Sequence, residues 1–387
     1  MSHSANQRPA DTQEILQRLA EIKQILNDRT SSKTEIGQST SLGTLLKTEI
    51  GQFTSLGSRW NRRQFIGVAG LGVAGLVGGV IVHHALTYSQ TINWKDLPPP
   101  PSGKKLQDFD FELVTLDSQG KENSRKRRQA KSFTEDLGPG IRLEMVAIPG
   151  GSLIMGSSDT EEGRGRQESP LHPVSIKPFY VGKFAITQAQ WKAVATLDKV
   201  NRNLNADPSN FKGDNLPVER VSWYDVQEFC ARLSRETGHT YRLPSEAQWE
   251  YACRAGTTTP FHLGKTITTN VVNYNGNYTY GSAPTGEYRH KTITVGSFRV
   301  PNAFGLSNMH GNVWEWCEDR WHDNYNGAPM DGSAWVAENE SDNRSRVLRG
   351  GSWHDQPKNC RSAYRVYYEP GFRNLNVGFR VVCVKVS

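Results

Sequence analysis

Arg349-Gly-Gly-Ser-Trp353, followed by Cys360-Arg-Ser-Ala-Tyr-Arg365 and Gly378-Phe-Arg-Val-Val382, is the stretch whose reading decides the fold. Between these words stand His354, Asp355, Asn359, Tyr364, Val366, Tyr367, Tyr368, Gly371, Phe372, Asn374, Leu375 and Asn376. Tyrosine, tryptophan and phenylalanine supply rigid, amphipathic contact area at low entropic cost, and asparagine, histidine and aspartate supply adaptable hydrogen bonds. The run Tyr364, Val366 to Tyr368 and Phe372 is interrupted by Pro370-Gly371 and by polar residues, which predicts a loop-rich surface rather than a core stripe. With Trp353, these positions other than Gly371 are the candidate ligand-binding residues.

Working outward, Glu144-Met-Val-Ala-Ile-Pro-Gly-Gly151, Met155-Gly156, Arg242-Leu-Pro-Ser-Glu-Ala-Gln-Trp-Glu-Tyr251 and Gly305-Leu-Ser-Asn-Met-His-Gly-Asn-Val-Trp-Glu-Trp316 precede it in order. Together these words resemble the formylglycine-generating, or sulfatase-modifying-factor, family from about Phe109 to Val386. The resemblance implies an α+β, C-type-lectin-like fold with short strands, few helices and much ordered loop. Active members carry two cysteines, five residues apart, that bind copper(I) and oxidise a substrate cysteine with dioxygen. Counted from Gly350, the second position is Cys360 and the first is Asp355. Copper(I) asks for soft thiolates, and a lone thiol beside a hard carboxylate is a poor site. Copper is therefore not expected, and Cys360 reads as a small buried residue or half of a disulfide. It is catalytic only under the rival reading, an oxidase of the formylglycine type.

A second resemblance lies in the interleaved positions. Every residue type from His354 to Asn376 named above can be reached from an asparagine codon, AAC, by changing only its adenines, whereas Gln356, Lys358 and Glu369 cannot. This looks like the variable region of a diversity-generating retroelement target protein. It implies a non-catalytic protein presenting residues 353 to 376 to an unidentified protein or glycan ligand.

The family resemblance implies fasteners as well. Cys230 and Cys383 are expected to pair, whereas Cys253 lacks its usual partner, because Arg365 stands there, and Cys317 is left over. Asn273 with Tyr274, and Asn308, Met309, Gly311 and Val313, match the family's calcium ligands, and oxygen donors suit that ion. Glu315 is expected to be a buried partner for an arginine such as Arg380 rather than a general acid. His172 and His310 stand apart from any metal-ligand spacing.

The chain has 387 residues, and its 46 Lys plus Arg exceed 39 Asp plus Glu to give a net charge of +7. Much of that excess precedes residue 132, notably Arg125-Lys-Arg-Arg128 and Lys131, which is expected as a solvated basic loop rather than a nucleic-acid surface. Phe65 to Val82 is the single long uncharged apolar run, near the lower limit for crossing a bilayer core of about 30 Å. Asn61-Arg-Arg-Gln-Phe-Ile-Gly67 before it resembles a twin-arginine export signal. The basic flank precedes the run, so an inner-membrane, single-pass protein is expected, with a cytoplasmic N-terminus and a periplasmic or extracellular C-terminal domain. The expected organisation is a cytoplasmic region over 1–58, a twin-arginine-like transmembrane anchor over 59–88, a proline-rich linker over 89–106 and the family domain over 107–387. Within the first region lie a short repeat and an amphipathic helix over 12–27. That helix suits self-association, or, in a third reading, an accessory role in a signalling assembly. Within the domain, alternation predicts strands at Phe109 to Leu116 and Arg142 to Ile148, and periodicity predicts helices at Trp223 to Glu236 and Pro244 to Arg254, the latter capped by Ser245.

Overall fold

The computed structural model describes residues 91–336 and 344–384. The expected N-terminal helix, the repeat and the whole of the expected anchor lie outside these residues. Among the described residues no helix is long and apolar enough to cross a membrane.

A short strand, β1 (Thr91–Ile92), precedes a long hairpin of β2 (Gln107–Leu116) and β3 (Glu122–Asp136). The expected strand at Phe109 to Leu116 is thus β2, whose burial alternates along its length. The basic run Arg125 to Lys131, expected as a solvated loop, belongs instead to β3. The sequence reading weighed those charges without the acidic residues they face across the hairpin. Arg125 pairs with Glu112 at 2.6 Å, Arg127 with Asp110 at 2.7 Å and Lys131 with Asp108 at 2.7 Å. Such exposed pairs each contribute roughly 0–1 kcal/mol, so they set register more than stability. Val114, Leu116 and Phe133, all buried, hold the hairpin to the rest.

The chain continues through β4 (Arg142–Ile148), β5 (Gly151–Met155), β6 (His172–Ile176), β7 (Phe179–Gly182), α1 (Gln188–Ala195), α2 (Trp223–Thr237), β8 (Thr240–Arg242) and α3 (Glu246–Arg254). After a long irregular stretch come β9 (Trp314–Arg320), β10 (Arg346–Arg349), β11 (Arg365–Tyr368), β12 (Val377–Gly378) and β13 (Val382–Val384). Three sheets result, ordered β2-β3-β4-β7-β13-β8, β11-β10-β9-β12 and β1-β5-β6. Each helix opens on a hydroxyl cap closed by a reciprocal side chain: Thr187 with Gln190, Ser222 with Asp225 and Ser245 with Gln248. Such boxes satisfy two of the orphan amides at a helix start.

The first core joins α1 and α2 to the C-terminal strands. Trp191 stacks on Phe229 at 5.4 Å, and Phe379 meets Phe229 edge-on at 5.1 Å. A second core gathers Trp249, Tyr251, Val347 and Val382, and a third holds Phe261, Tyr274, Tyr280 and Cys360.

Buried arginines fasten these layers. Arg380 grips Glu315 through two bonds of 2.6 and 2.8 Å, as the sequence suggests, and Trp249 donates its indole N–H to the same carboxylate at 2.7 Å. Arg365 grips Glu246 through two bonds of 2.7 Å, Arg361 holds Glu168 at 2.7 and 2.8 Å, and Arg349 pairs with Glu250. The expected Cys230–Cys383 disulfide is not formed, and all five cysteines are buried free thiols. Both thiols lie in the first core, Cys230 on α2 and Cys383 on β13 opposite Tyr241. Burial raises both above the ordinary thiol range, which keeps them protonated and unreactive.

Candidate binding surface

The segment from Gly350 to Asn376 leaves β10 at one end of the four-stranded sheet and returns to it through β11 and β12. A sharp turn starts it. Gly351 has φ +72°, and a Cβ there would lie 2.5 Å from Cys360 Sγ and 2.9 Å from the Asn359 carbonyl oxygen, so only glycine lets the chain fold back so closely. A 3-10 turn, Pro357–Cys360, follows, and β11 then pairs antiparallel with β10 as the edge of the sheet.

Asp355 sits half-buried near the base of this turn. Ser352 Oγ donates to its carboxylate, Asn359 Nδ2 donates at 3.3 Å, and Trp314 contributes a further side-chain bond. Burial nevertheless pushes its pKa above the ordinary aspartate value. Cys360 is fully buried. Burial, and then the nearby Asp355 carboxylate, hold its thiol well above the ordinary range. A protonated, enclosed thiol beside a carboxylate engaged by its own neighbours does not fit copper(I).

Around this base, the candidate residues take three kinds of position. Trp353 is buried, lying edge-on to Phe211 at 5.6 Å and donating its indole N–H to the Leu375 carbonyl at 3.3 Å, so it supports the surface rather than presenting itself. Asp355, Asn359, Tyr364, Val366, Phe372, Leu375 and Asn376 are half-buried, and Asn376 Nδ2 donates to Ser352 Oγ at 3.1 Å. His354, Tyr367, Tyr368 and Asn374 are exposed. Tyr367 is 50 % and Tyr368 41 % exposed, unusual values for large aromatic side chains. The expected loop over these tyrosines is in fact edge strand β11, whose pairing with β10 places Tyr367 against Trp321 at 4.4 Å and leaves Tyr368 stacked on Phe372 at 4.0 Å.

Two contributors escaped the sequence reading. Tyr288 shares a 2.7 Å hydrogen bond with His354 Nδ1, and Phe211 packs on Trp353. Both lie in loops without periodicity, where only their aromatic character marks them.

The calcium candidates are largely engaged within the protein. Asn308 Oδ1 accepts from the Gly296 amide at 2.7 Å, the Asn273 carbonyl accepts from the Asn312 amide at 2.8 Å, and the Met309 carbonyl takes a weak contact from Cys253 Sγ at 3.8 Å. Gly311 bridges to Asn273, and Tyr274 and Val313 are buried apolar contacts. Asn273 Oδ1 alone among the side-chain oxygens of Asn273 and Asn308 is buried without a partner. Calcium takes about 6–8 oxygens, usually with carboxylates among them. These six residues supply no carboxylate and do not fit the ion. Among the described residues, no group of three or more His, Cys, Asp or Glu could hold a metal.

Comparison with known proteins agrees with this geometry. Residues 138–385 match the family described as the Sulfatase-modifying factor enzyme 1-like domain. The formylglycine-generating enzyme of Streptomyces coelicolor is 30 % identical over 284 residues, covering 61 % of this chain and 87 % of that protein. Among solved structures, PvdO from Pseudomonas aeruginosa is 37 % identical with a TM-score of 0.55, over 65 % of this chain and 97 % of that one. Treponema denticola variable protein 1 is 26 % identical with a TM-score of 0.53, over 65 % and 98 %. The chain therefore belongs to the sulfatase-modifying-factor family and carries its α+β, formylglycine-generating-enzyme-like fold.

Proposed function

We propose that this chain is a membrane-anchored, non-catalytic ligand-binding protein whose working surface is the segment from residue 353 to 376. The observation that carries the reading is which residues of the segment reach solvent. None of the twelve interleaved candidate positions, His354 to Asn376, is buried. Of the residues threaded between them, Pro357, Cys360 to Ala363, Arg365 and Pro370 are buried, whereas Gln356, Lys358, Glu369 and Arg373 are not. A segment rewritten by adenine-directed mutagenesis needs this division, because changes confined to accessible positions alter recognition without touching packing. The likeness to Treponema denticola variable protein 1 is consistent with it. The ligand is a protein or glycan surface met by exposed tyrosines and adaptable polar groups.

The rival reading, a formylglycine-generating oxidase, draws on the likeness to the Streptomyces coelicolor enzyme and on Cys360. It requires a second soft donor where Asp355 stands. With copper and dioxygen, the protein is expected to leave Cys-x-Pro-x-Arg peptides unoxidised, as read by mass spectrometry for loss of the cysteine thiol. Turnover that disappears in Cys360→Ser would overturn the binding assignment.

The anchor belongs to the same proposal. Arg59, Arg62 and Arg63 precede the apolar run Phe65 to Val82, which supports a cytoplasmic N-terminus and a domain beyond the inner membrane. Protease added to intact spheroplasts should digest the chain beyond about residue 100 and spare the N-terminal region. Protection of the whole chain would refute this topology.

A further inference from the structure

A cleft of about 560 Å3 opens beside the C-terminal segment, between the loop around Phe211 and the stretch from Arg289 to Phe298. Lys212, Arg289 and Lys291 line it, together with Thr292 and the rings of Phe211 and Phe298. No acidic residue is among its lining side chains. Arg289 Nη2 pairs with Glu287 at 2.9 Å, and Lys212 pairs with Asp207 at 2.7 Å, but both carboxylates are about two-thirds exposed and screened by water.

Two polar groups on the wall of the cleft are buried and unmatched. Arg289 Nη1 has no hydrogen-bond partner, although Nη2 of the same guanidinium is engaged. Thr292 is 1 % exposed, and its hydroxyl also has no partner. Buried polar groups are nearly always bonded, so two orphans on one wall are open to a partner. A guanidinium only donates, and a hydroxyl can donate, so an acceptor is what suits each of them. Three cations around it make that acceptor an anion, and an oxyanion fits the planar guanidinium fork best. The guanidinium lies 5.4 Å from the Phe298 ring centre, with Phe211 among the lining rings, so the walls next to the charge are aromatic.

From this we infer an anion-binding site that takes an oxyanion, carboxylate or phosphate, carried on an aromatic or apolar body, with Arg289 Nη1 and Thr292 Oγ1 as its donors. The site stands independently of how residues 353 to 376 are used, although Phe211 links the two by packing on Trp353. Phenyl phosphate and benzoate are the probes, titrated calorimetrically into the full-length protein at constant ionic strength, with phenol and inorganic phosphate as half-ligands. At least one aromatic oxyanion should bind at least tenfold more tightly than phenol and than inorganic phosphate. Losing a charge-assisted bond costs roughly 1.5–3 kcal/mol, so Arg289→Gln should weaken that binding at least tenfold. Thr292→Val keeps the shape of the side chain and should weaken it several-fold. Lys126→Gln removes one exposed charge from β3 and should leave it unchanged. Stronger binding of phenyl phosphate than of benzoate would assign the site to phosphate, and the reverse to carboxylate. Failure of both probes to exceed phenol, or equal binding by wild type and a folded Arg289→Gln protein, would overturn the site.

Discussion

Arg365 stands where the family resemblance places the half-cystine partner of Cys253, and its role in the structure is an ionic fastener that Arg365→Met should break. Its guanidinium donates twice to Glu246 at 2.7 Å, and once each to the Gln167 and His322 carbonyls at 3.1 and 2.9 Å. It also lies 4.4 Å from the ring centres of both Trp321 and Tyr325. Both charged side chains are almost wholly buried. Methionine fills similar space but leaves the Glu246 carboxylate with the Tyr325 hydroxyl at 3.2 Å and Arg349 at 3.6 Å. Removing one member of a buried pair costs about 3–5 kcal/mol, chiefly because the remaining charge is stranded. For a domain of this size that corresponds to a fall in Tm on the order of 10 °C. The double variant Arg365→Met, Glu246→Gln removes the stranded charge and should recover a large part of the loss. Urea unfolding of wild type, both single variants and the double variant yields the coupling energy directly. A loss below about 1 kcal/mol for Arg365→Met, or a double variant whose loss equals the sum of the singles, would refute the assignment.

Two further outcomes separate surface from core. Tyr367→Ser and Tyr368→Ser should each shift stability by no more than roughly 0.5 kcal/mol, whereas Trp249→Ala or Phe379→Ala should cost about 3–5 kcal/mol; equal losses in thermal melts would mean that the tyrosines are core. Glu219 is fully buried, and its Oε1 accepts the Asn210 and Phe211 amides, but burial raises its pKa to about 7 from the ordinary 4.5. The folded state therefore holds this proton more tightly than the unfolded chain, and stability falls as pH rises from about 4.5 to about 7. At about 1.4 kcal/mol per pH unit, Glu219→Gln should gain up to ~3 kcal/mol at pH 8 and little at pH 4. The same gain at both pH values would show that the carboxyl is not the titrating group.

The parts of the fold legible in the sequence were those with a local signature. Alternation located β2 and β4, and the Ser245 cap located α3, because period and capping act within a few residues. Helix α1 is not legible from its pattern, although Thr187 and Gln190 carry its capping box, since eight residues with Trp191, Val194 and Ala195 as the buried apolar set give too short an apolar stripe. β3 is not legible as a strand from sequence alone, because its run of charge has meaning only opposite Asp108, Asp110 and Glu112, a partnership made by the hairpin. In the candidate surface, composition identified Tyr367 and Tyr368 as exposed. It could not tell that Trp353 turns inward onto Phe211, a contact set by residues far apart in the chain. The Cys230–Cys383 pairing failed for a related reason. Both thiols lie in the first core, Cys230 on α2 and Cys383 on β13 opposite Tyr241, and whether two core thiols meet is set by tertiary packing.

The alternation within the C-terminal segment would let one stretch carry both stability and the proposed recognition. Arg361 and Arg365 point inward to Glu168 and Glu246, on the 3-10 turn Arg166–Glu168 and on α3, while Tyr364, Val366, Tyr367 and Tyr368 between and beyond them reach solvent. The inward residues make contacts that span about two hundred positions of sequence in one case and about one hundred and twenty in the other. They fix the backbone path whatever the intervening residues are. A cysteine pair would fix it at one point and would need an oxidising compartment to form. Bidentate arginine pairs hold orientation as well as distance and form as the chain folds. Tyr364 and Val366 still pack on the first core, but exposed Tyr367 and Tyr368 are free to change, because the rings they meet, Trp321 and Phe372, are themselves only half-buried.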